Sequence, residues 1–149
     1  MNNRDKAWAW TAGLIAIHQA EEVLVSVDDW FRRVGTTGSP WLDRHIDGNW
    51  MADHKASKRL AAQAAQTTAL MMAWRLSRDS DLATRTLTSI LVAGWSAAFG
   101  MHIAASIHTR TVMPGTSTSV IPGWLGSAIV MRQVRTLTNS ADRPAPPPD

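Results

Sequence analysis

Apolar and polar positions along this chain recur with a helical period, and no stretch keeps the two-residue alternation of a half-buried strand. The first helical segment runs from about Lys6 to Arg33. Wound as a helix, it puts Gly13, Ala16, Ala20, Val23, Leu24 and Val27 on one side. The other side carries Thr11, His18, Glu21, Glu22 and Asp29, interrupted by Leu14, Ile15 and Val25. A water-soluble fold would bury the first side and wet the second, whereas a bundle in a bilayer would do the reverse.

Val34 to Asn49 is dense in turn residues and is expected to be a loop. A second helix is predicted from Trp50 to Arg75; its uncharged middle, Leu60 to Trp74, still carries Gln63, Gln66, Thr67 and Thr68. Ser77 to Asp81 reads as a short connection, with Asp79 or Ser80 as N-cap. The third helix, Asp81 to about Thr111, bears no formal charge from Thr86 to Thr109 and stops at Pro114-Gly115. A fourth starts near Ser117 or Ser119, tolerates Pro122 in its first turn, and runs to about Arg135. From Thr138 the chain ends in a Pro-rich stretch that reads as a disordered tail.

Four helices on short links predict an all-α fold, an antiparallel four-helix bundle over residues 1–137 with a tail over 138–149. Spanning a bilayer takes about 20 predominantly apolar residues. The third segment meets that requirement and the fourth nearly does. Basic residues would divide evenly between the two sides, which gives no orientation. Trp8, Trp10 and Trp30 bracket the first helix, and Trp50 and Trp74 the second, as interfacial belts do. The apolar run Ala7 to Ile17 is followed by His18 and two Glu rather than a cleavage site, so it reads as a retained helix. The expected location is a membrane, with a soluble cytoplasmic bundle as the alternative.

Composition removes several chemistries. The chain of 149 residues has no Cys, which excludes disulfides, thiolate catalysis, Cys-bound zinc and iron–sulfur clusters. A net charge of +3, with Lys and Arg scattered, provides no basic stripe for nucleic acid.

Within one turn of the first helix, His18, Glu21 and Glu22 share a face. Two adjacent carboxylates in apolar surroundings need a cation, or one keeps its proton. A wet polar face is the commoner meaning of such a cluster, but Leu14, Ile15 and Val25 would then be exposed beside it. His102 is the natural second donor, inside the charge-free third helix, with Trp95, Phe99, Ser106 and Thr109 on roughly its face. A single His on an apolar helix is usually a hydrogen-bonded core residue, and Ser106, one turn on, offers a partner. Arg110 would hold an anionic substrate group or simply compensate the helix C-terminus. His45, His54 and His108 fall at or near polar ends, where solvation is the default.

His18-Gln19-Ala20-Glu21-Glu22 is similar to the signature of the HXXEE family of small multi-pass membrane proteins. A later stretch, His102 to Arg110 followed by Pro114-Gly115-Thr116, resembles that family's helical His, Ser one turn on, basic residue and Pro-Gly turn. Val112 departs from it, standing where the family tends to have an aromatic residue. The resemblance implies an all-helical membrane protein with polar residues facing inward, and marks His18, Glu21, Glu22 and His102 as functional.

The expected function is an enzyme acting on a lipophilic small molecule by acid–base or metal-assisted cyclisation, isomerisation or hydrolysis. His18, Glu21, Glu22 and His102 are the expected catalytic residues, and the ligands if one divalent ion is bound. Trp95, Phe99, Ser106 and Arg110 are the expected substrate contacts. The alternative is a binding or transport module for a cation, proton or lipophilic ligand. Expected partners are the small molecule, membrane lipid and a second copy of the chain, with no nucleic acid.

Overall fold

The computed structural model describes residues 1–47, 49 and 51–141. Among them there is no strand. Helix α1, Asn3–Leu24, starts on Asn2, whose side chain accepts the Asp5 N–H. It stops at Val25, whose backbone is extended.

The first predicted helix therefore does not continue to Arg33. Ser26 opens a new one, α2 (Val27–Val34), by accepting the Asp29 N–H at 3.1 Å. Ser followed by Asp28 and Asp29 favours a cap over a helix interior, with Arg32 and Arg33 at the opposite end of the dipole. The predicted loop 34–49 also contains a helix, α3 (Pro40–Asp47). Pro40 suits its first turn, and Asp43 holds the preceding loop by accepting from Thr36 Oγ1, Thr37 Oγ1 and Thr37 N–H. Those donors, the Thr37 hydroxyl foremost, hold the Asp43 carboxyl below its usual range.

Helix α4, Ala56–Ser77, begins later than expected because 51–55 form a turn; Trp50 lies outside the described residues. Helix α5, Asp81–Thr109, is capped by Ser80 and ends at Arg110, in the left-handed region at φ 54°. A single turn, α6 (Thr116–Thr118), leads into a π-helical turn, Ser119–Trp124, and then α7, Leu125–Ala141. Pro122 has no N–H, and its ring opposes the carbonyl four residues back, so the backbone widens there. The tail predicted from Thr138 is helical as far as Ala141, and residues 142–149 lie outside the described residues.

Helices α1, α5 and α7 pack on one another, and α4 lies against α1 and α5. Leu14, Ile15, Val92, Phe99, Val130 and Val134 form the cluster between them. A second cluster, including Val27, Trp30, Leu42, Ile46, Ala105 and Met113, seats α2 and α3 over the end of α5.

Beside these apolar clusters, several polar side chains are buried and several large apolar ones are exposed. Thr11, His18, Ser77, Thr84, Thr88 and Ser119 are fully buried, while Leu24, Leu76, Ile107 and Ile121 are at least 69% exposed. The buried hydroxyls bond to helix carbonyls: Thr11 to Ala7, Thr88 to Thr84, Ser119 to Gly115. On α1 the inward face is Thr11, Leu14, Ile15, His18 and Gln19, with Ala16, Ala20 and Leu24 outward. Helix α5 is long and apolar enough to cross a membrane, the one such helix among the described residues.

Candidate functional site

Two long helices and one turn assemble the site. Helix α1 contributes His18, Glu21 and Glu22, α5 contributes His102, and the turn Met113–Thr118 folds back over both imidazoles. Gly115 makes that approach possible at φ 90°, where a side chain is strained. A Cβ there would lie 2.7 Å from His102 Cε1 and Nδ1 and 2.8 Å from His18 Cε1.

The turn also sets the proton on each ring. His102 Nδ1 lies 2.7 Å from the Pro114 carbonyl, which can only accept, so Nδ1 carries the hydrogen. His18 Nδ1 lies 3.0 Å from Thr118 Oγ1, and that hydroxyl gives its own proton to Glu21 Oε2 at 2.8 Å. His18 Nδ1 is therefore the donor as well. The Nε2 atoms of the two rings then approach the same carboxylate oxygen. Glu22 Oε1 is 3.2 Å from His102 Nε2 and 3.7 Å from His18 Nε2. His18 Nε2 is buried with no hydrogen-bond partner among the described residues.

Aromatic edges wall the rings in. His18 meets Phe99 at 4.9 Å, His102 at 4.8 Å and Trp95 at 5.5 Å between centroids, each edge to face. Gly123 of the π-helical turn presses on Phe99, where a Cβ would come within 2.8 Å of the ring. The last turn of α1, which bears Glu22, is fixed by buried Arg59. Its guanidinium donates to the Val23 carbonyl at 2.9 and 3.2 Å and to the Asp53 and His54 carbonyls. Beside the cluster is a cavity of about 120 Å³, which reaches His45 and is walled mainly by Leu42, Ile46, Met51, Trp95, Met101 and Met113.

Among the expected catalytic residues, His18, Glu22 and His102 converge, each offering one donor atom within 4.8 Å of the others. Glu21 faces a different way: its carboxylate accepts the Thr118 N–H at 3.1 Å and the Thr118 hydroxyl. Of the expected substrate contacts, Trp95 lines the cavity and Phe99 packs on His18. Ser106 is engaged with Thr116 Oγ1 and the Met113 N–H, so it braces the turn and is not the partner of His102. Arg110 is exposed at the end of α5, in no ion pair among the described residues. His108 is exposed, as is His45, which stacks on Trp41. Pro114, Gly115, Thr118 and Arg59 act on the site without having been singled out for it. Pro114-Gly115 was visible as a helix stop and as part of the family pattern, and a Thr and an Arg among many carry no local signal.

This all-helical fold with a His/Glu cluster matches a family profile described as a protein of unknown function with HXXEE motif, over residues 9–130. The chain belongs to the HXXEE family. No curated protein and no solved structure gives a match.

Proposed function

We propose that the chain is a membrane-embedded helical bundle in which His18, Glu22 and His102 hold one divalent metal ion for chemistry on a lipophilic small molecule. The observation that carries this reading is the convergence of two imidazole Nε2 atoms on one carboxylate oxygen, that of His18 buried and without a hydrogen-bond partner among the described residues. Lone pairs facing each other in a dry interior repel unless a cation lies between them. Bonds of about 2.1 Å in tetrahedral geometry separate donors by about 3.4 Å; the two Glu22–imidazole spacings, 3.2 and 3.7 Å, bracket that value, and all three donor atoms lie within 4.8 Å of one another. The Nδ1 bonds to Pro114 and Thr118 are the outer partners that metal-bound imidazoles generally have.

Two His and one carboxylate suit zinc, iron or manganese and leave coordination positions open. Such an ion acts as a Lewis acid toward a substrate oxygen, which serves hydrolysis, isomerisation or cyclisation. The protein's part is to fix both ring planes, to hold Glu22 through Arg59, and to keep the substrate against Trp95 in the apolar cavity. Glu21 is a positioning residue that acts through Thr118. Membrane embedding is supported by the buried hydroxyls, the exposed Leu and Ile, and the inward turn of the His face of α1. The 3.2 Å spacing of His102 Nε2 and Glu22 Oε1 favours a second reading, in which one proton is shared there for acid–base catalysis.

Elemental analysis of the full chain, purified gently in mild detergent, separates the two. About one metal per chain is expected, lost in His18→Ala, His102→Ala and Glu22→Gln with helix content unchanged. No stoichiometric metal ends the metal reading and leaves the shared proton. The chain is expected to stay with membranes through an alkaline wash, and release without detergent would overturn the membrane part alone.

A further inference from the structure

About a quarter turn around α1 from the His/Glu cluster, α1 and α4 enclose a groove. It consists of two adjoining cavities of about 440 and 160 Å³, which share Ala12, Leu70 and Met71 as walls. Trp8 and Trp74 line the outer cavity, and Gln19 and Gln66 the inner one. From Ala9 to Gln19 the groove follows α1 for roughly 15 Å.

The two amides are the informative part. Gln19 is only 5% exposed, and its Nε2 has no hydrogen-bond partner among the described residues. Gln66 Oε1 is also buried and without a partner. Both amides line the inner cavity, one with an unmet donor and the other with an unmet acceptor, and reversing both leaves the same demand. Each such group left unsatisfied costs about 1–3 kcal/mol. A hydroxyl answers both, accepting from one amide and donating to the other. An ester or a carboxylate has no proton to donate.

We infer that this groove binds a single-chain alcohol, its aliphatic tail lying between α1 and α4 toward Trp8 and Trp74, and its terminal hydroxyl held by Gln19 and Gln66. His18 and Gln19 are successive residues aimed at α5 and α4 respectively, so this site stands whether or not the His/Glu cluster binds metal.

The test uses the full chain in lipid nanodiscs and ω-bromoundecanol, whose bromine quenches Trp emission. The hydroxyl-free comparison is bromoundecane. Saturable quenching is expected, with the alcohol bound about tenfold more tightly, as one retained hydrogen bond implies. Gln19→Leu and Gln66→Leu should each bring the two probes close to parity with helix content intact, and Trp74→Phe should remove part of the saturable signal. Equal binding of the two probes by the unmodified chain overturns the inference, and needs no variant to fold. So does an unchanged preference in both Leu variants. If the groove instead receives a second copy of the chain, the Leu variants change oligomeric state while the probes bind alike. If water alone bridges the amides, no preference appears at all. Either result sinks the proposal.

Discussion

Replacing Gly115 by Ala tests the site at the point where backbone and chemistry meet. The added Cβ would sit 2.7 Å from the His102 ring and 2.8 Å from the His18 ring, against the 3.4 Å at which ordinary contact begins. A φ of 90° costs a non-glycine residue about 1–3 kcal/mol. Overpacking of this kind adds about 1–3 kcal/mol. The sum, about 2–6 kcal/mol, is relieved only if the turn lifts or the rings rotate. Lifting stretches the His102–Pro114 and His18–Thr118 bonds, and rotation turns both Nε2 atoms off Glu22. In either case metal affinity should fall by roughly 10–100-fold or more. The assay is a metal titration of the full chain, with the apparent unfolding temperature followed in parallel. Gly126→Ala is the control: its Cβ would meet Leu14 Cβ at 3.2 Å, away from both imidazoles. It should leave affinity alone, whichever way stability moves. Gly115→Ala binding metal as tightly as the unmodified chain would refute the reasoning.

Two further outcomes follow from the same contacts. Thr118→Val keeps the shape but removes the hydroxyl linking His18 to Glu21, so metal should bind roughly 10–100-fold more weakly. Glu21→Gln should do less harm than Glu22→Gln, which deletes a donor; equal losses would show that Glu21 is itself a ligand. In α3, Asp43 ionises more readily folded than unfolded, because Thr37 and Thr36 bond its carboxylate. Its contribution is complete above the ordinary value of 3.8 and fades as pH falls through the lower folded value. Hydrogen exchange in residues 36–39 should accelerate in that acid range, and already at neutral pH in Asp43→Asn. Identical profiles for the two proteins would contradict it.

The helical period carried the long elements. The third helix was legible because its ends are marked by Ser80 and by Pro114-Gly115, and its middle has no charge. The site's core was legible too, since a His and two Glu in one turn have no comfortable resting place inside an apolar helix. What escaped is instructive. Ser26 reads as one polar residue in a long helix until Asp28 and Asp29 are credited as its first turn. Pro40 looked like a loop residue although it is equally at home opening a helix. Which Glu faces the rings could not be read from spacing, because both lie on the inward face. The choice is made by Thr118, almost a hundred positions later in the chain. The pattern on α1 permitted either polarity, and only packing shows that the His side turns inward.

The turn from Met113 to Thr118 anchors both imidazoles, one through a carbonyl and the other through a hydroxyl four residues on. The rings are therefore yoked: neither can be re-aimed while the other stays put. A ligand that lifts this short segment would disarm both nitrogens in one movement, and a variant that shifts it would retune the pair together. Attempts to alter the centre's preference one histidine at a time would be working against a shared hinge.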